Sequence, residues 1–287
     1  MKTHLECIPC FIRQSLEAAK MATDDESIHE YVLKKVMNHL QNISFDNSPP
    51  ELSREVHSII KETTLSKDPY KKVKNISNEN AKKLYPKLKN LVEKSNDPLL
   101  KSIQFAIVGN VIDFGTFRRF DINDIIKNDM SKKFVNKAYD RFKEVLENSK
   151  NVLYLADNTG EVFFDKLLLE ELHQRGKNTT YVVKTNPIIN DALVADAKFA
   201  GIDKLATIIE GDAGQSKSTP GILLNYASKE FLDIFNCADI VISKGQGNYE
   251  SLSDCNREVF FLLMIKCRLV AEDAGVSEGS LIFTVNK

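Results

Sequence analysis

Apolar and small positions recur at spacings of three and four from Phe11 through Ile12, Ser15, Leu16 and Ala19. That is the helical period, and no alternating stretch of comparable length interrupts it between Cys10 and about Lys150. Ser48-Pro49-Pro50, Asp68-Pro69, Tyr85-Pro86 and Asp97-Pro98 punctuate the region and predict breaks between helices of ordinary length. The expectation for residues 1–145 is a helical region, arranged as a bundle or a cap.

The pattern then changes. Asn151 to Ala156 is a short, nearly continuous apolar run, the polar turn Asp157-Asn158-Thr159-Gly160-Glu161 follows, and Phe163, Phe164, Leu167, Leu168 and Leu172 return at helical spacing. The same strand, loop and helix order repeats. Thr180-Tyr181-Val182-Val183 precedes a helix over 191–200, Ala206-Thr207-Ile208-Ile209 precedes one over 223–235, and Asp239 to Ser243 runs into another polar loop. Phe260 to Ile265 and Leu281 to Val285 are further strand candidates. Strands apolar on both sides and alternating with helices predict a mostly parallel sheet covered on both faces, a Rossmann-like three-layer α/β/α domain over residues 146–287.

Composition narrows the class without naming a function. A chain of 287 residues, 43% hydrophobic and 28% charged, has the make-up of an ordinary globular protein. Its 39 Lys and Arg against 40 Asp and Glu leave no whole-molecule field for gathering nucleic acid or anionic membrane. The longest apolar run, Val259 to Ile265, is far short of the ~20 residues that span a bilayer. Neither a membrane span nor a secretion signal is expected, and five cysteines, an odd number, point to reduced thiols in the cytoplasm. Nine Lys against three acidic residues between Lys67 and Lys94 raise a nucleic-acid surface, yet the stretch has no Arg and only Tyr70 and Tyr85 as aromatics. A solvated helical face fits it better.

In an open parallel sheet, ligands bind beyond the carboxyl ends of the strands, so the three most polar post-strand loops are where chemistry is sought. Asp157, Asn158 and Asp191 offer two carboxylates and an amide oxygen, the hard ligands that Mg²⁺ or Mn²⁺ prefers. The same residues also serve as turn formers and helix caps. Lys244-Gly245-Gln246-Gly247 joins a cation to a glycine turn able to cradle a phosphate, or it is simply a surface turn. The loop over 211–221 borders the site, closes over it as a lid, or merely links two elements. No Gly-x-Gly-x-x-Gly follows the first strand and no Walker pattern occurs. Cys7-x-x-Cys10 supplies two thiols for a redox couple, for a zinc site completed by His4, Cys255 or Cys267, or for plain burial.

Five motifs in one order carry a resemblance. Cys7-Ile8-Pro9-Cys10, Gly109-Asn110-Val111-Ile112-Asp113-Phe114-Gly115, Asp157-Asn158-Thr159-Gly160-Glu161, Asn186-Pro187-Ile188-Ile189-Asn190-Asp191 and Lys244-Gly245-Gln246-Gly247-Asn248-Tyr249-Glu250 together resemble the DUF89 family, in the branch with the N-terminal Cys-x-x-Cys. The resemblance implies a metal-dependent damage-control phosphatase hydrolysing phosphomonoesters of small metabolites such as sugar phosphates. It implies that Asp157, Asn158 and Asp191 hold a divalent cation (Mn²⁺, Mg²⁺, Co²⁺ or Ni²⁺) and that Lys244 faces the phosphate, with Gly245 and Asn248 in the same substrate-binding loop. Asn110 and Asp113 are expected to close over the substrate. The nucleophile is a metal-activated water or the Asp157 carboxylate. Glu161 is either a proton shuttle or a first-turn partner of the helix dipole. Two other classes stay open: an S-adenosylmethionine-dependent methyltransferase, and a non-catalytic metal or redox sensor using the cysteine pair.

Overall fold

A computed structural model of the chain describes residues 1–110, 134–214 and 217–286. Asp113 and the rest of its motif after Asn110 lie outside the described residues.

Helices α1 (Cys7–Ala22), α2 (Glu26–Leu40) and α3 (Pro49–Thr64) pack around Phe11, Val32, Val36, Leu52, Val56 and Ile60. Ser48 opens α3 with a capping box, its backbone N–H donating to Glu51 Oε2 at 2.8 Å, and Pro49 sits at the first helical position where no N–H is needed. His57 is buried in this cluster and its Nε2 has no hydrogen-bond partner. Burial, with the nearby Lys61 charge adding to it, lowers its pKa to about 4. The unfolded chain therefore takes up a proton near the ordinary histidine value of 6.5 while the folded chain refuses it. Stability is full above pH 6.5 and falls as pH drops from 6.5 toward 4, by about 3 kcal/mol in all. Melting temperatures across that window should fall steeply in the wild type and more shallowly in His57→Phe; equal slopes would show that His57 does not set the acid limb.

One expected break is absent. Helix α4 (Lys71–Glu93) runs straight through Pro86, although proline deletes a backbone hydrogen bond at a cost of about 3 kcal/mol. Ala81 on one side of Pro86 and Leu88 and Val92 on the other are buried in one core, which holds both halves in line. Asp97 then caps α5 (Pro98–Gly109) by accepting from Leu100 N at 3.0 Å.

A second difference from the sequence pattern is a strand, β1 (Phe134–Asn136), inside the stretch read as helical. Three residues are too few to show a period, and β1 is fixed by pairing with the last strand. Then follow α6 (Tyr139–Asn148), β2 (Asn151–Leu155), α7 (Val162–Gln174), β3 (Asn178–Val183), α8 (Val194–Ala200), β4 (Thr207–Glu210), α9 (Lys229–Cys237), β5 (Ile240–Lys244), α10 (Gln246–Leu252), β6 (Phe260–Met264), α11 (Arg268–Ala274) and β7 (Leu281–Val285). The helices expected over 191–200 and 223–235 begin later, at Val194 and Lys229, because Asp191 and Ala192 pair with neighbouring loops and a short 3₁₀ turn occupies Leu224–Tyr226.

The seven strands form one sheet in the order β1-β7-β6-β5-β2-β3-β4, parallel except where β7 runs against β6. Strand alternation divides the core. Val152, Tyr154, Ile240, Ile242, Phe260 and Leu262 face a layer containing α4 to α8, while Leu153, Leu155, Val241, Phe261 and Leu263 face α9 to α11. The mostly parallel three-layer arrangement expected from the sequence is thus present. The boundary expected at residue 145 falls inside α6, whose Tyr139, Phe142 and Leu146 all pack in the first of these layers.

Chain order sets the site. From β2 the chain proceeds outward to β3 and β4, then returns to the other flank of β2 to lay down β5 and β6. The connections part between β2 and β5, and a crevice opens there beyond the carboxyl ends of the strands.

Candidate active site

Two loops are zipped together at that crevice. Ala192 N donates to Asp157 O at 2.9 Å, Thr159 N donates to Asn190 O at 2.9 Å, and Asn158 and Asp191 form an isolated antiparallel bridge. Residues 31 to 35 positions apart in the chain are thereby held side by side. Ile189, between them, adopts a left-handed φ of 43°, uncommon for a β-branched residue, and its side chain packs against the α1–α3 cluster. Gly160 has φ 82°, which lets the β2 loop turn into α7, and its N–H is taken by the buried Asn78 side chain of α4 at 3.0 Å.

Asp157 and Asp191 are both nearly fully buried. Burial raises both carboxyls above the ordinary range, with the Glu161 charge adding to it at Asp157 and the Asp157 charge at Asp191. Asp191 Oδ2 has no hydrogen-bond donor, and Lys184 Nζ, 3.8 Å away, is also buried without a hydrogen bond. Asn158 spends its amide donor on Asp157 Oδ2 at 2.8 Å and Glu161 Oε1 at 2.7 Å, which leaves its oxygen as an acceptor only. Two crowded carboxylates, one with an orphaned buried oxygen, and an amide oxygen are a donor set that a hard divalent cation fits. Among the described residues no three His, Cys, Asp or Glu side chains gather as a ligand cluster, so a zinc site completed by His4, Cys255 or Cys267 is not formed there.

A second layer of polar groups holds this set. Asn110, capping α5, donates to Asp157 Oδ2 at 2.7 Å and Glu161 Oε1 at 2.8 Å. Lys244 is fully buried; its ammonium lies 2.9 Å from Glu161 Oε2 and 2.7 Å from Asp165 Oδ1. Burial opposes its charge, but the two carboxylates outweigh that and raise its pKa. Asp165 also accepts from the hydroxyls of Tyr154 and Tyr181, each at 2.8 Å. Asn248 is consumed by backbone: it donates to Ala156 O and Lys244 O and accepts from Ile222 N, tying three post-strand loops together. Gly245, at φ 80°, has no room for a side chain, because a Cβ there would stand 2.0 Å from Asp157 Oδ2.

An open cavity of about 440 Å³ lies over Asp157, Asn158 and Asp191. Neither Lys244 nor Glu161 lines it, whereas Glu250, Lys266, Cys7, Cys10 and Cys267 do. Lys266 is exposed, and its positive charge acts on both Asp157 and Glu250. Pro220, from the loop over 211–221, completes part of the wall, and Gly221 packs backbone to backbone on Gly247. Asp157, Asn158 and Asp191, which the sequence pattern marks as candidates, converge here. Asp165, Tyr154, Tyr181, Lys184, Lys266 and Asn78 take part in or around the site without a role evident in the sequence pattern. One of these left a signal: Asp165 stands four residues after Glu161 and so shares its helix face.

Residues 3–282 match the damage-control phosphatase ARMT1-like domain family. A damage-control phosphatase of Archaeoglobus fulgidus is 33% identical over 99% of both chains, and one of Pyrococcus horikoshii is 33% identical over 100% of this chain and 99% of its own. An uncharacterized protein of Methanocaldococcus jannaschii is 35% identical over 97% of this chain and 94% of its own. The crystal structure of a DUF89 family protein from Pyrococcus horikoshii superposes with a TM-score of 0.89, 32% identity and full coverage of both chains. With the family model matched over residues 3–282 and relatives of 33% identity along the full chain, the chain belongs to the damage-control phosphatase ARMT1-like domain family.

Proposed function

We propose that this phosphatase hydrolyses phosphomonoesters of small metabolites, sugar phosphates or related damaged compounds, with a divalent cation held by Asp157, Asn158 and Asp191. The observation that carries the reading is the convergence of these three residues at the sheet's switch point, with Asp191 Oδ2 buried and without a donor. The all-oxygen set suits Mg²⁺ or Mn²⁺ and accepts Co²⁺ or Ni²⁺. A cation bound there supplies charge neutralisation for the phosphoryl oxygens.

The chain's own residues do the positioning. Asn110 and Asn158 aim Asp157, and Gly245 leaves the space its carboxylate occupies. Lys244 holds the Glu161 and Asp165 side chains in place by ion pairs beneath the proposed metal ligands, and Asn248 locks the loops around them. In this reading Lys266, exposed on the cavity wall beside Asp157, brings positive charge to the phosphate where the resemblance had placed Lys244. Helices α1, α4 and α5 border the site, through the first turn of α1, Asn78 and Asn110 respectively. Five free thiols suit a reducing compartment such as the cytoplasm, and no described helix is long and apolar enough to cross a membrane.

Chelator-stripped protein, re-supplied with Mg²⁺, Mn²⁺, Co²⁺ or Ni²⁺ and given sugar phosphates, nucleotides and p-nitrophenyl phosphate, should release phosphate only with metal. Release that is equal with and without metal would remove the metal from the mechanism, and no release under any condition would bring the methyltransferase and sensor readings forward.

A further inference from the structure

A phosphomonoester with an alkyl leaving group needs a proton on the departing oxygen, and none of the groups assigned so far supplies it. Glu161, the sequence's candidate, is committed: Oε1 accepts from Asn110 and Asn158, Oε2 accepts from Lys244, and the side chain does not reach the cavity. Four carboxyl side chains do line the cavity: Glu6, Asp157, Asp191 and Glu250. Asp157 and Asp191 are metal ligands in the reading above, and Glu6 is exposed and pairs with Arg268 at 3.6 Å. Among the described residues that leaves Glu250, on α10.

We propose that Glu250 is the general acid that protonates the leaving-group oxygen. This rests on the phosphatase reading. As the P–O bond breaks, its electron pair stays on the leaving oxygen, the Glu250 carboxyl gives that oxygen its proton, and the alcohol departs. Whichever nucleophile attacks phosphorus, the proton released by the consumed water returns Glu250 to its acid form through solvent, so no further reactant is needed.

The surroundings of Glu250 fit this role. Its Oε1 accepts from Gln246 Nε2 at 2.8 Å, and Gln246 Oε1 in turn accepts from Lys266 N at 3.0 Å, so the carboxyl is anchored to the loop that carries Lys266. Burial lifts its pKa to about 7, against the opposing effects of the Gln246 amide, the amino group of Met1 and Lys266. Cys7 faces it from α1, Met1 binds its backbone oxygen at 2.9 Å, and Ser53 of α3 shares the cavity wall. An acid near neutrality is suited to donate a proton at physiological pH.

The test compares Glu250→Gln, which keeps a side chain able to meet Gln246, with the wild type on two esters at saturating Mn²⁺ or Mg²⁺. With fructose 1-phosphate, whose alkoxide needs a proton, kcat should fall roughly 10²–10⁴-fold. With p-nitrophenyl phosphate, whose phenolate leaves unaided, it should stay about the same. The wild-type kcat on the sugar phosphate should decline as pH rises through about 7, since the acid form is the active one, and Glu250→Gln should lack that limb. Glu250→Asp, with matching melting temperature, should recover part of the sugar phosphate rate. Equal losses on both esters, or no loss on the sugar phosphate, would overturn the assignment alone. Absence of turnover in the wild type would overturn the phosphatase reading, and this inference with it.

Discussion

Asp157→Ala should lower phosphate release by about 10³-fold or more while leaving the protein folded. The substitution removes a buried carboxyl beside Asp191 and Glu161, while the Asn110 and Asn158 amides each keep one bond, to Glu161, and lose the other, to Asp157. Relief of the buried carboxyl and loss of these two bonds oppose each other, so the variant should melt close to the wild type in the absence of metal. Wild-type protein with metal at about 100 times its dissociation constant should gain about 2.7 kcal/mol of stability, a gain that Asp157→Ala should lose. Thermal denaturation with and without Mn²⁺ reads this independently of turnover. A variant that metal still stabilises as the wild type, or that still hydrolyses at the wild-type rate, would place the cation elsewhere. Asp191→Ala is a less clean experiment, since it takes from the buried Lys184 its nearby countercharge.

Lys244→Met should cost stability as well as activity. Glu161 and Asp165 are both buried beside this ammonium, and removing one partner of a buried ion pair leaves an uncompensated charge, at about 3–5 kcal/mol. For a chain of this size that corresponds to a fall in melting temperature of about 10 °C. Adding Asp165→Asn to Lys244→Met removes one of the stranded charges and should restore part of the loss. The alternative, in which Lys244 serves the phosphate directly, predicts a large loss of activity at unchanged melting temperature. Calorimetry on the two variants therefore distinguishes a lysine that holds the site together from one that touches the substrate.

The fold class was legible because strand and helix leave different periods. Asn151 to Leu155 reads as a two-sided apolar strand, and the sheet does bury Val152 and Tyr154 on one face and Leu153 and Leu155 on the other. Local punctuation was legible only in part. Ser48-Pro49 and Asp97-Pro98 start helices as expected, whereas Pro86 lies inside one, because packing of Leu88 and Val92 outweighs the missing hydrogen bond. The strand β1 escaped notice, being a partner supplied to β7 rather than a pattern of its own.

By itself the sequence determined the alternation of strands and helices, the polar loops after β2, β3 and β5, and the residue types able to hold a hard cation there. These follow from local periodicity and from side-chain chemistry, which a chain carries before it folds. Tertiary structure decided which of those residues meet and which are spent on one another. Lys244 and Glu161 looked like reactive groups in the sequence, yet they pair with each other outside the cavity lining, since only the folded protein sets the distance from a strand end to a residue 83 positions earlier. Glu250 and Lys266, by contrast, meet at the cavity because β5 and β6 are neighbours in the sheet, and that adjacency follows from strand order, which no local pattern encodes.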